Sequence, residues 1–333
     1  MIAKKPAKFF WTVLIVAVLA VSLFLISGLV EKIVNRLHEE PQSPGYSSSG
    51  DLSVFFDGKQ YKRNDTLETI LVMGIDSIET PDGSREDSAQ ADFVALIILD
   101  KLNKSFRILH INRDTMTEIR RSDALGTTSN TFTGQLALAH TFGETDELRC
   151  RNTVTAVENL LYFPKNTSIS HYFSLTMDAI PMIADGVGGV TVTLENDFPL
   201  LGEEYVAGAT VTLTGEDALT FVRYRNNDAT GSNVERMERQ RLFIAGLFEK
   251  YTQCSFDDTL DMVEEVTDYF VSDCTVSQIS NLIDRLQTYT DNGVQALPGE
   301  AKLGREYVEF YVDEEALQRL IVECFYTPVS TAQ

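Results

Sequence analysis

The sequence predicts an α/β domain, a mixed sheet sandwiched by helices, carried behind a single N-terminal transmembrane helix. Three observations predict it: one long uncharged run at the start, short β-branched runs ending in acidic or turn residues, and amphipathic segments interleaved between them. With 44% apolar and 10% aromatic residues in 333, the chain can bury a core and is excluded from the disordered class.

Phe9 to Val30 are 22 residues without a charge. As a helix this run spans ~30 Å of hydrocarbon, and it exceeds the ~7–15 apolar residues of a cleavable signal core. No later run is comparable, which excludes a polytopic transporter. Lys4, Lys5 and Lys8 precede the span, whereas the ten residues after it carry a net −1. Positive-inside bias therefore places residues 1–8 in the cytosol and everything beyond Val30 outside, a single-pass type II topology in the cell membrane. Pro41 to Gly50 (PQSPGYSSSG) ends a spacer over 31–50. The folded domain is expected over 51–326, with its core at 67–250 and a short tail at 327–333.

Within that domain, Asp57-Gly58 between Val54–Phe56 and Gln60–Lys62 predicts a hairpin. Thr69–Ile75 (TILVMGI) reads as a buried strand ending in Asp76. FVALIIL follows Asp92, and FRILHI follows six polar residues later, an antiparallel pair leading to Arg113-Asp114. Thr153–Leu161 and Met177–Ala184 read as helices, and the glycines of 186–190 as a helix stop before a strand at Thr191–Leu194. That order is the reverse of a phosphate loop, and no Gly-Lys-Ser/Thr closes it. Thr214 and Asp217 suggest a capped helix to about Tyr224, followed by a longer one over Arg236–Tyr251. The remainder supplies two or three amphipathic helices and a strand at Tyr307–Val312. Arg120 to Gly134 shows no interpretable pattern.

The formal charge is −21, and −24 without the three lysines before the span. Such a domain repels nucleic acid, and any anion must be bound by locally clustered cations. Five of 17 arginines (Arg223, Arg225, Arg236, Arg239, Arg241) fall within 19 residues, with no lysine among them. Guanidinium forks match phosphate oxygens, whereas a merely solvated face mixes both cations. Arg236, Arg239 and Gln240 stand at i, i+3 and i+4, spacing that shares a helical face. Asp76, Asp92 and Asp114 lie at the ends of three apolar runs. Two carboxylates with phosphate oxygens and water suit Mg²⁺. The four histidines are scattered without a metalloprotease or nucleophile motif, and His110 reads as packed in a strand. Four cysteines lack zinc spacing; outside the membrane, disulfide pairing is open.

These segments together resemble the LytR-CpsA-Psr family of membrane-anchored envelope enzymes. The resemblance rests on LVMGIDS, ADFVALIILD, RILHINRDT, QLALAHTFG, TVTAVENLL, DGVGGVTV, LTGEDALTFVRYR and ERMERQR, in that order. It implies transfer of an anionic glycopolymer from a polyprenyl-pyrophosphate-linked glycan to peptidoglycan, dependent on Mg²⁺, at the membrane lipid surface of a Gram-positive envelope. By motif, Asp76 and Asp92 match the metal-associated aspartates, and Arg113, Arg223, Arg225, Arg236 and Gln240 match residues around the pyrophosphate. Two positions depart from the pattern. Gln90 stands where an arginine is usual, leaving that contact either absent or supplied by Arg85. Asn233 stands where an aspartate is usual and, as an amide, is no general base. The expected site is therefore Arg113, Asp76, Asp92 and Arg236 for catalysis, with Arg223, Arg225, Arg239, Gln240 and Arg85 binding substrate. Two alternatives stay open: a pyrophosphatase using water as acceptor, and a noncatalytic receptor for envelope glycan or lipid.

Overall fold

In a computed structural model of the chain, the structure describes residues 53–79, 85–122, 128–164, 167–225, 232–305 and 307–329. The span expected at 9–30, its flanks and the 31–50 spacer lie outside these residues. Among the described residues no helix is long and apolar enough to cross a membrane.

The chain opens with the hairpin β1 (Ser53–Phe56) and β2 (Lys59–Arg63), whose turn residues Asp57 and Gly58 both have positive φ, at 48° and 72°. Such a turn matches the strand twist, which is why Asp-Gly specifies it. Three long strands follow: β3 (Leu67–Glu79), β4 (Arg85–Asp100) and β5 (Ser105–Ile111). The unpatterned stretch then forms a second hairpin, β6 (Met116–Ser122) with β7 (Thr128–Gln135). Its alternation is polar on both faces over much of its length, so hydrophobic period gave no warning of it.

Helix α1 (Asp146–Leu160) begins earlier than its apolar pattern because Thr145 accepts a hydrogen bond from Leu148 N at its start. β8 (His171–Thr176) leads into α2 (Ile180–Gly186) and then β9 (Val190–Thr193), with Gly188 and Gly189 at φ 75° and 92° between them. β10 (Thr210–Leu213), α3 (Gly215–Arg223) and α4 (Ser232–Tyr251) follow. Thr214 stands at the N-cap of α3 without the side-chain capping bond expected of it. The remainder comprises α5 (Phe256–Glu265), β11 (Phe270–Ser272), α6 (Val276–Thr288), β12 (Thr290–Ala296), β13 (Gly299–Leu303), β14 (Val308–Val312), α7 (Glu314–Phe325) and β15 (Tyr326–Pro328). β15 pairs with β2 and so carries the fold two residues past the expected boundary at 326.

The central sheet has six strands in the order β11-β8-β3-β4-β5-β12. β3, β4 and β5 are antiparallel to their neighbours in sequence, whereas β8 joins β3 and β12 joins β5 in parallel. Alternation sorts the side chains. Leu71, Met73, Leu96, Ile98 and Leu109 face α1 and α7, where Val157 and Leu317 are fully buried. Ile70, Ala95, Ile97, Phe106 and Ile108 face α6 and α4 on the other side. The result is the expected sheet between two helical layers, its strands buried on both faces and hence continuously apolar. A third apolar cluster ties β9 and β10 to α2, α3 and α4. All four cysteines are free thiols, so no disulfide contributes.

Helix α4 approaches β9 closely at Gly246, where an added Cβ would stand 2.3 Å from the Thr191 carbonyl oxygen. Backbone cannot yield there as a flexible side chain would. Gly246→Ala is expected to lower stability by about 1–3 kcal/mol, the usual penalty of overpacking, read from the urea midpoint by circular dichroism.

Candidate active site

Two irregularities in the β3–β4 ladder set the position of the carboxylates. Up to Gly74 the strands pair Gly74 with Phe93, but Ile75 pairs with Ala91 and Ser77 with Asp87. Asp92 is thus the extra residue of one bulge, and Asp76 lies opposite extra residues of a second. A bulge leaves residues outside the ladder and bends the strand, which re-aims their side chains. Asp92 does not precede the strand, as the apolar run suggested, but lies within it.

The end of β5 supplies the next group. Asn112 Oδ1 accepts from Asp114 N at 2.9 Å, and Asn112 O accepts from Thr115 N and Oγ1 at 3.0 and 2.6 Å. This side-chain-closed turn projects Arg113, whose guanidinium donates to Asp92 Oδ1 and Gln90 Oε1. Its Nε lies 3.6 Å from Asp114 Oδ1. Asp114, 2% exposed, also accepts from Gln135 Nε2 at 3.0 Å.

Helix α4 closes the arrangement. Arg236 Nη1 lies 3.3 Å from the same Asp92 Oδ1, and Nη2 donates to Asn233 Oδ1 at 2.7 Å. Asn233 in turn donates to Asn112 Oδ1 at 2.9 Å and Asp114 Oδ2 at 2.8 Å. One amide therefore accepts from a cation and donates to a carboxylate, which an aspartate could not do without placing two carboxylates together. Gln240 donates to Val222 O at 3.1 Å, anchoring α4 to α3. At the C-terminal end of α3, where the helix dipole favours a cation, Arg223 pairs with Asp76 through Nη2–Oδ1 at 2.8 Å and Nε–Oδ2 at 3.2 Å.

Electrostatics make these groups one unit. Burial lowers the Arg113 guanidinium to about 10, with Asp114 opposing and the Arg236 and Arg225 charges adding to the shift. Burial lowers Arg236 to about 10 as well, with Arg225 adding to it. Both remain cations at neutral pH. Burial pushes the Asp114 carboxyl up against the pull of Arg113, Arg225 and Arg236. His110 is driven to about 3 by burial, then by Arg241 and Arg236, and is a neutral packed residue against Phe93.

A divalent ion is compatible with these residues. Asp76 Oδ1 is buried and, although within ion-pair reach of Arg223, carries no hydrogen bond. An unbonded carboxylate oxygen next to a second carboxylate is a hard donor set of the kind Mg²⁺ takes.

Beside this cluster the second face of the sheet and α4 enclose a cavity of about 260 Å³. Gly74, Phe93, Ala95 and Ile97 form one wall and Phe243, Ile244, Leu247 and Phe248 the other, with Gln240 the sole polar lining residue among the described residues.

Of the expected site residues, the structure brings together Arg113, Asp76, Asp92, Arg223, Arg225 and Arg236, with Gln240 at the cavity wall. Arg239 is not among them: it donates to Phe221 O at 2.8 Å and to Tyr224 O, and lies over the Phe198 ring at 4.8 Å. Helical spacing put it on the arginine face, but the unsatisfied carbonyls at the end of α3 hold it on another. The Arg85 side chain lies outside the described residues, so its expected phosphate contact does too. Gln90, read as a departure, accepts from Arg113 and orients it. Asn112 and Gln135 carried no sequence signal beyond adjacency; both act through Asp114.

The α/β/α domain sets buried arginines at the edge of an apolar cavity, an arrangement chemically able to take an anion and an apolar chain side by side. The chain belongs to the LytR_cpsA_psr family, whose model matches residues 31–323. A polyisoprenyl-teichoic acid–peptidoglycan teichoic acid transferase, TagU, of Bacillus anthracis is 26% identical over 323 residues, 95% of each chain. TagU of Halalkalibacterium halodurans is 28% identical over 242 residues, 72% of this chain and 69% of its own. Among solved structures, B. subtilis TagV has 22% identity and a TM-score of 0.59 over 78% of this chain and 96% of its own. TagT bound to LI-WTA has 19% identity and a TM-score of 0.57 over 78% and 90%. These two likenesses concern the fold.

Asp92→Ala would leave two buried guanidiniums without their shared carboxylate. Breaking a buried pair in this way costs about 3–5 kcal/mol. The expected result is a urea midpoint lowered accordingly, with partial recovery when inorganic pyrophosphate is added as a replacement anion.

Proposed function

We propose that the protein is a membrane-anchored phosphotransferase that moves an anionic glycopolymer from a polyprenyl-pyrophosphate carrier to a peptidoglycan hydroxyl. The observation that carries this reading is the junction of the buried arginine cluster with a predominantly apolar cavity. A diphosphate needs the first and an isoprenoid chain the second, and few ligands need both. The names of the TagU relatives support the substrate class.

In the reaction the acceptor oxygen bonds to the phosphorus nearest the glycan as that phosphorus separates from the bridging oxygen. Polyprenyl phosphate leaves, and the acceptor proton passes to a carboxylate of the site, Asp76 or Asp92. Arg113 and Arg236, both fixed on Asp92 Oδ1, meet the charge that spreads over the phosphoryl oxygens. Because Asn233, Gln90 and Asp114 already hold them, little reorganisation accompanies the transition state. Asp76 and Asp92 would hold Mg²⁺, which when bound supplies further neutralisation of the diphosphate. The N-terminal span expected from residues 9–30 would keep the domain at the surface where the carrier lipid resides.

Replacing either arginine tests the reading. Arg113→Ala and Arg236→Ala should each reduce turnover by about 10²- to 10³-fold, the loss typical of removing one preorganised donor. The measurement is release of polyprenyl phosphate and attachment of polymer, using full-length protein, lipid-linked donor, Mg²⁺ and peptidoglycan. Polymer attachment that persists at wild-type rate in both variants would sink it.

Chain length offers a second check. Ala95→Leu adds volume inside the cavity and should raise the KM for a long-chain donor about tenfold. A donor carrying a methyl group in place of the isoprenoid, which puts no chain in the cavity, should show an unchanged KM. The tenfold figure corresponds to roughly 1.4 kcal/mol, within the range of overpacking.

A further inference from the structure

Helix α4 divides two environments of opposite character. At 100° per residue, Asn233, Arg236 and Gln240 fall on one side, whereas Glu235, Glu238 and Leu242 fall on the other. The second side borders a groove of about 490 Å³, closed across from α4 by residues 194–200. Its walls carry the carboxylates of Glu195, Asp197, Glu235 and Glu238. The cation among them, Arg239, is engaged by two backbone carbonyls and the Phe198 ring. Tyr224, 40% exposed, stands at the rim with its ring 5.7 Å from that of Phe198.

The groove is joined to the arginine cluster through the end of α3. Tyr224 leaves the helix with φ −54° and ψ 136°. That extended turn separates neighbouring side chains: Arg223 reaches Asp76, while Tyr224 lines the groove. Likewise Glu235 lines the groove, while the next residue, Arg236, contacts Asp92.

We propose that this groove is the acceptor subsite and that it takes an uncharged, hydroxyl-rich glycan chain. This deepens the reading above and rests on it. Carboxylates are acceptors only; Asp197 already accepts from Ala207 N at 2.8 Å, and Glu195, Glu235 and Glu238 favour a ligand that brings many O–H and N–H donors. The exposed aromatic ring offers an apolar surface for the C–H face of a sugar. The same carboxylates repel an anionic polymer, so the donor is kept on the cationic side of α4. Selection is thus made by exclusion as well as by attraction.

The test uses full-length protein in detergent micelles and chitotetraose, an uncharged N-acetylglucosamine tetramer, as probe in calorimetry. Chitotetraose should bind the wild type. The double variant Glu235→Gln/Glu238→Gln, which keeps shape and should fold, should bind about tenfold more weakly, as expected for weakened hydrogen bonds to charged acceptors, and Tyr224→Ala about tenfold more weakly through loss of the aromatic surface. In the transfer assay both should raise the acceptor KM similarly while leaving the donor KM unchanged. Absence of binding to the wild type, equal binding by all three proteins, or displacement of the probe by poly(glycerol phosphate) would overturn the proposal. If transfer proceeds with an unchanged acceptor KM in the variants, the groove assignment fails and the phosphotransferase reading stands. If the variants lose the probe but no wild-type transfer occurs, the groove stands and that reading fails.

Discussion

The organisation of the molecule turns on one carboxylate shared by two buried guanidiniums. Asp92 accepts from Arg113, at the end of β5, and from Arg236, on α4. Two like charges at close range in a site of low polarity repel, and removing both from water is unfavourable in itself. The site persists because each side chain is held again from behind. Gln90 and Asp114 hold Arg113, and Asn233 holds Arg236. The unit is therefore a set of guanidinium donors fixed in place before an anion arrives, which is the condition for electrostatic stabilisation without reorganisation.

That constraint explains the construction around it. The bulges in β3–β4 exist where Asp76 and Asp92 must leave the ladder. The close packing of α4 on β9 at Gly246 holds the helix that presents Arg236 and Asn233. The same helix then lines the apolar cavity two to three turns further on with Phe243, Ile244 and Leu247. A cation cluster and an apolar lumen are thus adjacent on one rigid element, and a charged head and its greasy tail can be gripped together.

Much of this was legible in the sequence. Continuous apolar runs in 69–75, 93–99 and 106–111 read as buried strands because both faces of the sheet are covered, and they are. The exclusion of lysine near α4 pointed to guanidinium chemistry. What was not legible is geometric. Strand alternation gives no sign of a bulge, so Asp92 read as flanking a strand that in fact contains it. Helical spacing alone groups Arg239 with Arg236, because it is blind to the open carbonyls of Phe221 and Tyr224 that hold Arg239 elsewhere. Asn233 looked like a defect until its two amide functions could be seen joining Arg236 to Asp114.

The bulges have a wider consequence. On the core side the ladder is pinned by Gly74 opposite Phe93 and by Val94 opposite Ile111. Beyond them, the outer arm of β3 and β4 pairs in a register of its own, Ser77 with Asp87. Residues can be inserted or deleted in that arm, and the disturbance stops at the bulge instead of turning every core side chain over. The domain therefore has an extension that evolution can lengthen, shorten or redecorate freely while the buried machinery beneath it stays in step.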